Sequence, residues 1–84
     1  MKNITVYSGP LCAFCDAAKR LLGRNNLGYK EIDISTDPNL MDEMITKAGG
    51  KRTIPQIFFD DHHVGGYQEL RELEKSGTLL NNLK

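Results

Sequence analysis

Tryptophan is absent from this chain of 84 residues, cysteine occurs only twice, and histidine only twice. Basic and acidic side chains number 11 each, so there is no net charge of either sign. That balance argues against nucleic acid or an anionic membrane as the main partner, because both attract a basic face. Long apolar runs are also missing, which excludes a membrane-spanning helix. The start, Met1-Lys2-Asn3-Ile4-Thr5, carries a lysine but no apolar stretch of signal-peptide length. The expectation is a cytoplasmic protein, where disulfides are usually transient and catalytic. Its length suits one domain, residues 1–84, and hydrophobic residues at 39% suffice for a compact core.

The pattern of what is present reads β-α-β-α-β-β-α. Ile4 to Tyr7 is β-prone and ends at Ser8-Gly9-Pro10. From Ala13 to about Asn25, the residues Phe14, Ala17, Ala18, Leu21 and Leu22 recur three or four apart, which predicts a helix. Tyr29 to Ile34 alternates as a second strand. Ser35-Thr36-Asp37-Pro38 supplies a capping side chain and a first-turn proline for a second helix. Its apolar face is Leu40, Met41, Met44, Ile45 and Ala48, and Gly49-Gly50 stops it. Thr53 to Phe59 and His62 to Gly65 form a hairpin about Asp60-Asp61. Tyr67 to Ser76 is a third helix, and Leu79, Leu80 and Leu83 pack a short final turn. The first β-α-β unit implies parallel strands with a right-handed crossover. Tyr7 and Tyr29 read as strand packing.

The two cysteines, in Cys12-Ala13-Phe14-Cys15, open the first helix directly after the first strand. That context, within a β-α-β pattern, is the one in which C-x-x-C reads as a redox motif. A thiolate is the attacking species in disulfide exchange. Cys12 lies where unpaired helix N–H groups and the helix dipole favour negative charge, so Cys12 is the expected nucleophile. Cys15, one turn on and more buried, is the expected resolving thiol. A structural zinc site needs four ligands. His62 and His63 are neighbours on a strand, face opposite ways, and cannot both join the cysteines; both read as solvated.

Pro55 falls within a strand-like run, where a residue lacking an N–H belongs at an edge, a strand start or a bulge. From the residues alone, an ordinary trans edge proline and a cis Ile54–Pro55 bond both stay open. Gly65-Gly66 before the third helix lets backbone approach closely, and that helix's N-terminus is a ready anion site.

Taken together, Cys12-Ala13-Phe14-Cys15, Arg52-Thr53-Ile54-Pro55-Gln56-Ile57-Phe58, Val64-Gly65-Gly66 and Glu69-Leu70 resemble the glutaredoxins, of the small bacterial dithiol kind. The family pattern is C-P-Y-C, T-V-P and G-G-x-x-D, and the resemblance covers essentially all of the chain. It implies a thioredoxin-like α/β fold, with a four-stranded mixed sheet flanked by helices. It implies a glutathione-dependent thiol–disulfide oxidoreductase that reduces protein disulfides and glutathione mixed disulfides. Glutathione is then the co-substrate, disulfide-containing proteins are the partners, the state is monomeric and no metal is expected. The resemblance further implies that Ile54–Pro55 is cis and faces Cys12. The Ile54 backbone would pair with the cysteinyl part of glutathione, with Thr53 and Phe14 beside it. Gly66, Tyr67 and Gln68 would offer N–H groups to the γ-glutamyl carboxylate. Arg52, with Lys51 next to it, is either a partner of the glycyl carboxylate or a solvated charge.

The sequence departs from the family in several places. Phe14 lacks the hydroxyl of the family's tyrosine, and Ala13 lacks the proline ring. Gly9 stands three residues before Cys12, where lysine is frequent. Asp16 lies four residues after Cys12, a neighbour on one helix face. Both changes lower the positive potential at the thiol. The acidic pair near the third helix becomes Gln68-Glu69, so Glu69, with its longer arm, is the candidate contact to the glutathione amine. Two alternative functions stand beside the main one: a dimer holding a glutathione-ligated [2Fe–2S] cluster, and a glutaredoxin-like electron donor reduced by thioredoxin reductase. The C-G-F-S signature of dedicated cluster carriers is absent.

Overall fold

Alternation along Ile4–Ser8 (β1) sends Ile4 and Val6 to one face of a sheet and Tyr7 to the other. The structure, a computed structural model, describes residues 1–84. β1 is followed by α1 (Ala13–Arg24), β2 (Lys30–Asp33), α2 (Pro38–Lys47), β3 (Gln56–Phe59), β4 (His62–Gly65), α3 (Tyr67–Lys75) and α4 (Leu79–Leu83). The sheet order is β2-β1-β3-β4. β1 pairs parallel with β2 and antiparallel with β3, and β3 pairs antiparallel with β4. This is the thioredoxin-like mixed sheet with flanking helices.

Two apolar layers hold it together. On one face Val6, Leu21, Leu22, Ile57, Phe59 and Leu70 are wholly buried among the strands, α1 and α3, and Leu79 and Leu83 of α4 join them. On the other, Tyr7, Met44, Ala48 and Phe58 pack with Ile32, Ile34, Ile45 and Ile54 under α2. Fully burying one such aliphatic side chain stabilises by about 1.5–3 kcal/mol. The Tyr7 hydroxyl donates to Glu43 of α2 at 2.6 Å, and burial, then Glu43, pushes its phenol well above the usual range.

Local chemistry sets the boundaries. Asp37 caps α2 by accepting from the Asn39 N–H at 2.9 Å, with Pro38 in the first turn. β2 stops at Asp33 instead of reaching Ile34. The Asp33 carboxylate accepts from the Ser35 N–H at 2.8 Å and the Ser35 hydroxyl at 2.6 Å, folding Ile34–Thr36 into one 3-10 turn. β3 begins at Gln56 and not at Thr53, because Pro55 cannot donate to the ladder. Asp60, at φ 51°, makes the hairpin turn in the left-handed conformation that aspartate tolerates. Between β3 and β4 the pairing skips from Ile57↔Gly65 to Phe58↔His63, which leaves a bulge at Val64. Leu80, expected to pack, is about half exposed, since a helix of this length buries only one face. Tyr29 is exposed too, lying just outside β2. The Lys2 N–H donates to the Leu83 carbonyl at 2.6 Å, tying α4 to the start of β1.

Candidate active site

The turn after β1 carries Pro10 and Leu11 out to solvent and delivers Cys12 to the tip of α1. Leu11 is fully exposed and has φ 52°, an unusual conformation for so bulky a residue. Cys12 is the N-cap of α1, and its sulfur accepts the Cys15 N–H at 3.1 Å. Cys12 and Cys15 form a disulfide with their Cα atoms 5.2 Å apart. Cys15 is 1% exposed, whereas Cys12 is only partly covered, so an incoming thiol reaches Cys12. Once the bond is reduced, the Cys15 N–H and the helix N-terminus remain in place to stabilise a Cys12 thiolate.

The loop before β3 comes up opposite. Ile54–Pro55 is cis, and the Ile54 carbonyl oxygen lies 3.8 Å from the Cys12 sulfur. Beside this contact runs a groove of about 260 Å³ lined by Phe14, Thr53, Ile54, Pro55, Gly66, Tyr67 and Gln68. Each of these was singled out in the sequence. The Phe14 and Tyr67 rings stack across it, with centroids 5.8 Å apart and planes at 23°. Arg52 is exposed, forms no ion pair and does not line the groove. A larger cleft of about 650 Å³ lies at the other end of β1, around Lys2, Asn3 and Lys30, and contains neither cysteine.

The N-terminus of α3 closes one end of the groove. Glu69, the candidate contact to an amine, bends back instead. Its carboxylate accepts the Gly66 N–H at 2.7 Å, the glutamate half of a capping box. That leaves the Tyr67, Gln68 and Glu69 N–H groups without a partner in the chain. Gly65 has φ 122°, and a Cβ there would stand 2.6 Å from the Glu69 carboxylate, so glycine is required for this cap.

The charge around Cys12 is more balanced than the sequence suggests. Asp16 gives its N–H to the Cys12 carbonyl, and its carboxylate turns to Lys19 at 3.6 Å. Lys19 also pairs with Glu31 at 3.0 Å, and Glu31 accepts from the buried Ser8 hydroxyl at 2.6 Å. The Ser8 hydrogen bond first, then Lys19, holds the Glu31 carboxyl below its usual range.

Two groups behind the loop escaped the sequence reading. Gln56 is 2% exposed, and its Nε2 donates to the Thr53 carbonyl at 2.9 Å and the Thr53 hydroxyl at 3.1 Å. His63, expected to be solvated, is partly buried: its ring stacks on Phe58 at 4.9 Å and its Nε2 lies 2.7 Å from Gln56 Oε1. Burial, then the nearby Lys51 and His62, pushes the imidazole pKa down. A buried glutamine beside the apolar run Ile57–Phe59 was the available signal, since such an amide needs partners.

The glutaredoxin family model matches residues 4–64. Glutaredoxin 1 of Rickettsia conorii is 44% identical over 80 residues, which is 94% of this chain and 78% of that protein. The solution structure of a glutaredoxin from Brucella melitensis superposes with a TM-score of 0.86 at 42% identity, covering 100% of this chain and 90% of that one. A buckwheat glutaredoxin–glutathione complex has a TM-score of 0.87 at 24% identity, covering 98% of this chain and 76% of that one, a likeness of fold.

Proposed function

This chain belongs to the glutaredoxin family, a thiol–disulfide oxidoreductase with Cys12 and Cys15 as its redox pair, and we propose that glutathione is the thiol it uses. One observation carries the proposal. The accessible sulfur of the pair opens beside a groove that offers what a small peptide thiol needs. The groove has the Ile54 backbone at one end, the stacked Phe14 and Tyr67 rings on its wall, and free N–H groups of α3 at the other end. A helix N-terminus with unpaired N–H groups suits a carboxylate. The glutathione complex of the buckwheat relative supports the same reading.

The chemistry follows from which sulfur is exposed. The Cys12 thiolate attacks the glutathionyl sulfur of a mixed disulfide. A Cys12–glutathione bond forms, the substrate's S–S bond breaks, and the substrate leaves as a thiolate that takes up a proton. A second glutathione thiolate attacks the glutathionyl sulfur, giving oxidised glutathione and restoring the Cys12 thiolate. On protein disulfides, Cys15 resolves the mixed disulfide by attacking Cys12. This yields the Cys12–Cys15 disulfide seen here, which two glutathione molecules then reduce. The role fits a monomer of one domain working in the reducing cytoplasm.

The test is reduction of a glutathionyl mixed disulfide, with glutathione and thioredoxin reductase supplied separately as reductants. Turnover with glutathione is expected. Turnover only with thioredoxin reductase would overturn the assignment.

A further inference from the structure

Thr53 reaches the groove at the end of a chain of hydrogen bonds whose direction is fixed. The Thr53 carbonyl can only accept, so the Gln56 atom 2.9 Å from it is the amide nitrogen. That same nitrogen stands 3.1 Å from the Thr53 hydroxyl oxygen, which therefore accepts as well. The amide oxygen then faces His63, and the His63 Nε2 at 2.7 Å must carry a proton. The imidazole is clamped by its stack on Phe58, its lowered pKa favours the neutral ring, and the Gln56 oxygen selects the Nε2–H tautomer. The Gln56 amide is buried, and both its ends are used. Because the Thr53 oxygen already accepts from behind, its own proton is left for an acceptor on the groove side.

We propose that Gln56 and His63 are positioning residues that hold the Thr53 hydroxyl as a hydrogen-bond donor to the carbonyl or carboxylate of the peptide thiol in the groove. The proposal rests on the glutathione reading above. Bonds in such a chain polarise one another, so a proton given by His63 at one end strengthens the donor at the other. The contact is made to the glutathionyl part, which is bound both before and during sulfur exchange. It therefore acts on KM more than on kcat.

The experiment measures kcat and KM for a glutathionyl mixed disulfide in wild type, Gln56→Glu, His63→Phe, His63→Gln, Thr53→Val and the Gln56→Glu/Thr53→Val double variant. Glutamate keeps the size and the acceptor facing His63 but cannot donate to Thr53. Phenylalanine keeps the stack on Phe58 but loses the Nε2 donor, and glutamine restores a donor. A single neutral hydrogen bond sets the scale, so KM should rise about three- to tenfold in Gln56→Glu with kcat little changed. His63→Phe should give a smaller rise, which His63→Gln reverses. In the double variant the two effects should not add, because Gln56 acts through the hydroxyl that valine removes. Unchanged KM in His63→Phe, or full additivity in the double variant, would overturn the proposal. If Gln56→Glu does not fold, as judged by circular dichroism, the His63 pair decides alone. Wild type inactive on every glutathionyl substrate would instead refute the functional reading beneath it.

Discussion

Ile54 and Gly9 share one volume beside the reactive sulfur. A Cβ built on Gly9 would stand 2.8 Å from Ile54 Cδ1, closer than side chains tolerate. Residue 9 and the residue before Pro55 are therefore coupled in size. Where relatives carry lysine at the first place and valine at the second, this chain has glycine and isoleucine.

The coupling predicts the outcome of restoring the missing cation. Gly9→Lys alone should force the Ile54 Cδ1 methyl to swing out of its rotamer, destabilising the fold by about 0.5–1.5 kcal/mol. Ile54→Val removes the obstructing methyl, so Gly9→Lys/Ile54→Val should fold with less loss than the single variant. The lysine should also move the midpoint of the Cys12 alkylation profile to lower pH. Thermal melts of the four proteins and alkylation rates against pH check both parts. Strict additivity in the melts would contradict the shared volume.

The two cysteines should separate cleanly. Cys12→Ser should abolish turnover, because the one other thiol, Cys15, is buried. Cys15→Ser should keep a measurable rate on glutathionyl mixed disulfides, where external glutathione does the resolving, and lose most activity on protein disulfides. A glutathione-coupled assay on both substrate types is the measurement. Equal loss in both variants on the small substrate would refute the assigned roles.

Glu69 predicts opposite effects on stability and binding. Its carboxylate caps α3 at the same helix end that is proposed to receive a carboxylate. Glu69→Gln keeps an acceptor for the Gly66 N–H and removes the negative charge, so KM for glutathionyl substrate should fall a few-fold. Glu69→Ala loses the cap and should cost about 0.5–2 kcal/mol of stability. A rise in KM for Glu69→Gln would instead show that the charge holds the ligand's amine.

Acid stability should depend in part on Glu31. Its folded pKa is depressed by the Ser8 hydroxyl and Lys19. Stability from this source is present above the unfolded glutamate value, about 4.3, and is lost as pH falls through the lower folded value. Glu31→Gln should therefore be less stable than wild type at neutral pH, with the gap closing below about pH 4. Urea melts across that range test this, and added salt should narrow the gap because the pair is open to solvent in part. A gap that widens in acid would contradict the sign.

Much of the fold was legible because its signals are local. The recurrence of Ala18, Leu21 and Leu22 places one helix face, and Asp37-Pro38 marks a helix start. The resemblance points to every residue that lines the groove, and also to Arg52, which stands outside it. What escaped needed knowledge of the third dimension. The start of β3 depends on how the chain passes Pro55, and the solvation of His63 depends on Phe58 and Gln56 across the hairpin. The fit of Ile54 over Gly9 joins positions far apart in the chain, which no window along the sequence can show. The turn at Ile34 was missed because the Asp33 side chain competes with the strand ladder for the backbone.

The deep placement of Cys15 has a consequence for counting. Two electrons are stored in the pair, yet a bulky sulfhydryl reagent applied to the reduced, native protein meets a single target. Labelling stoichiometry should read one before unfolding and two after it, which gives a direct gauge of how often the helix tip opens.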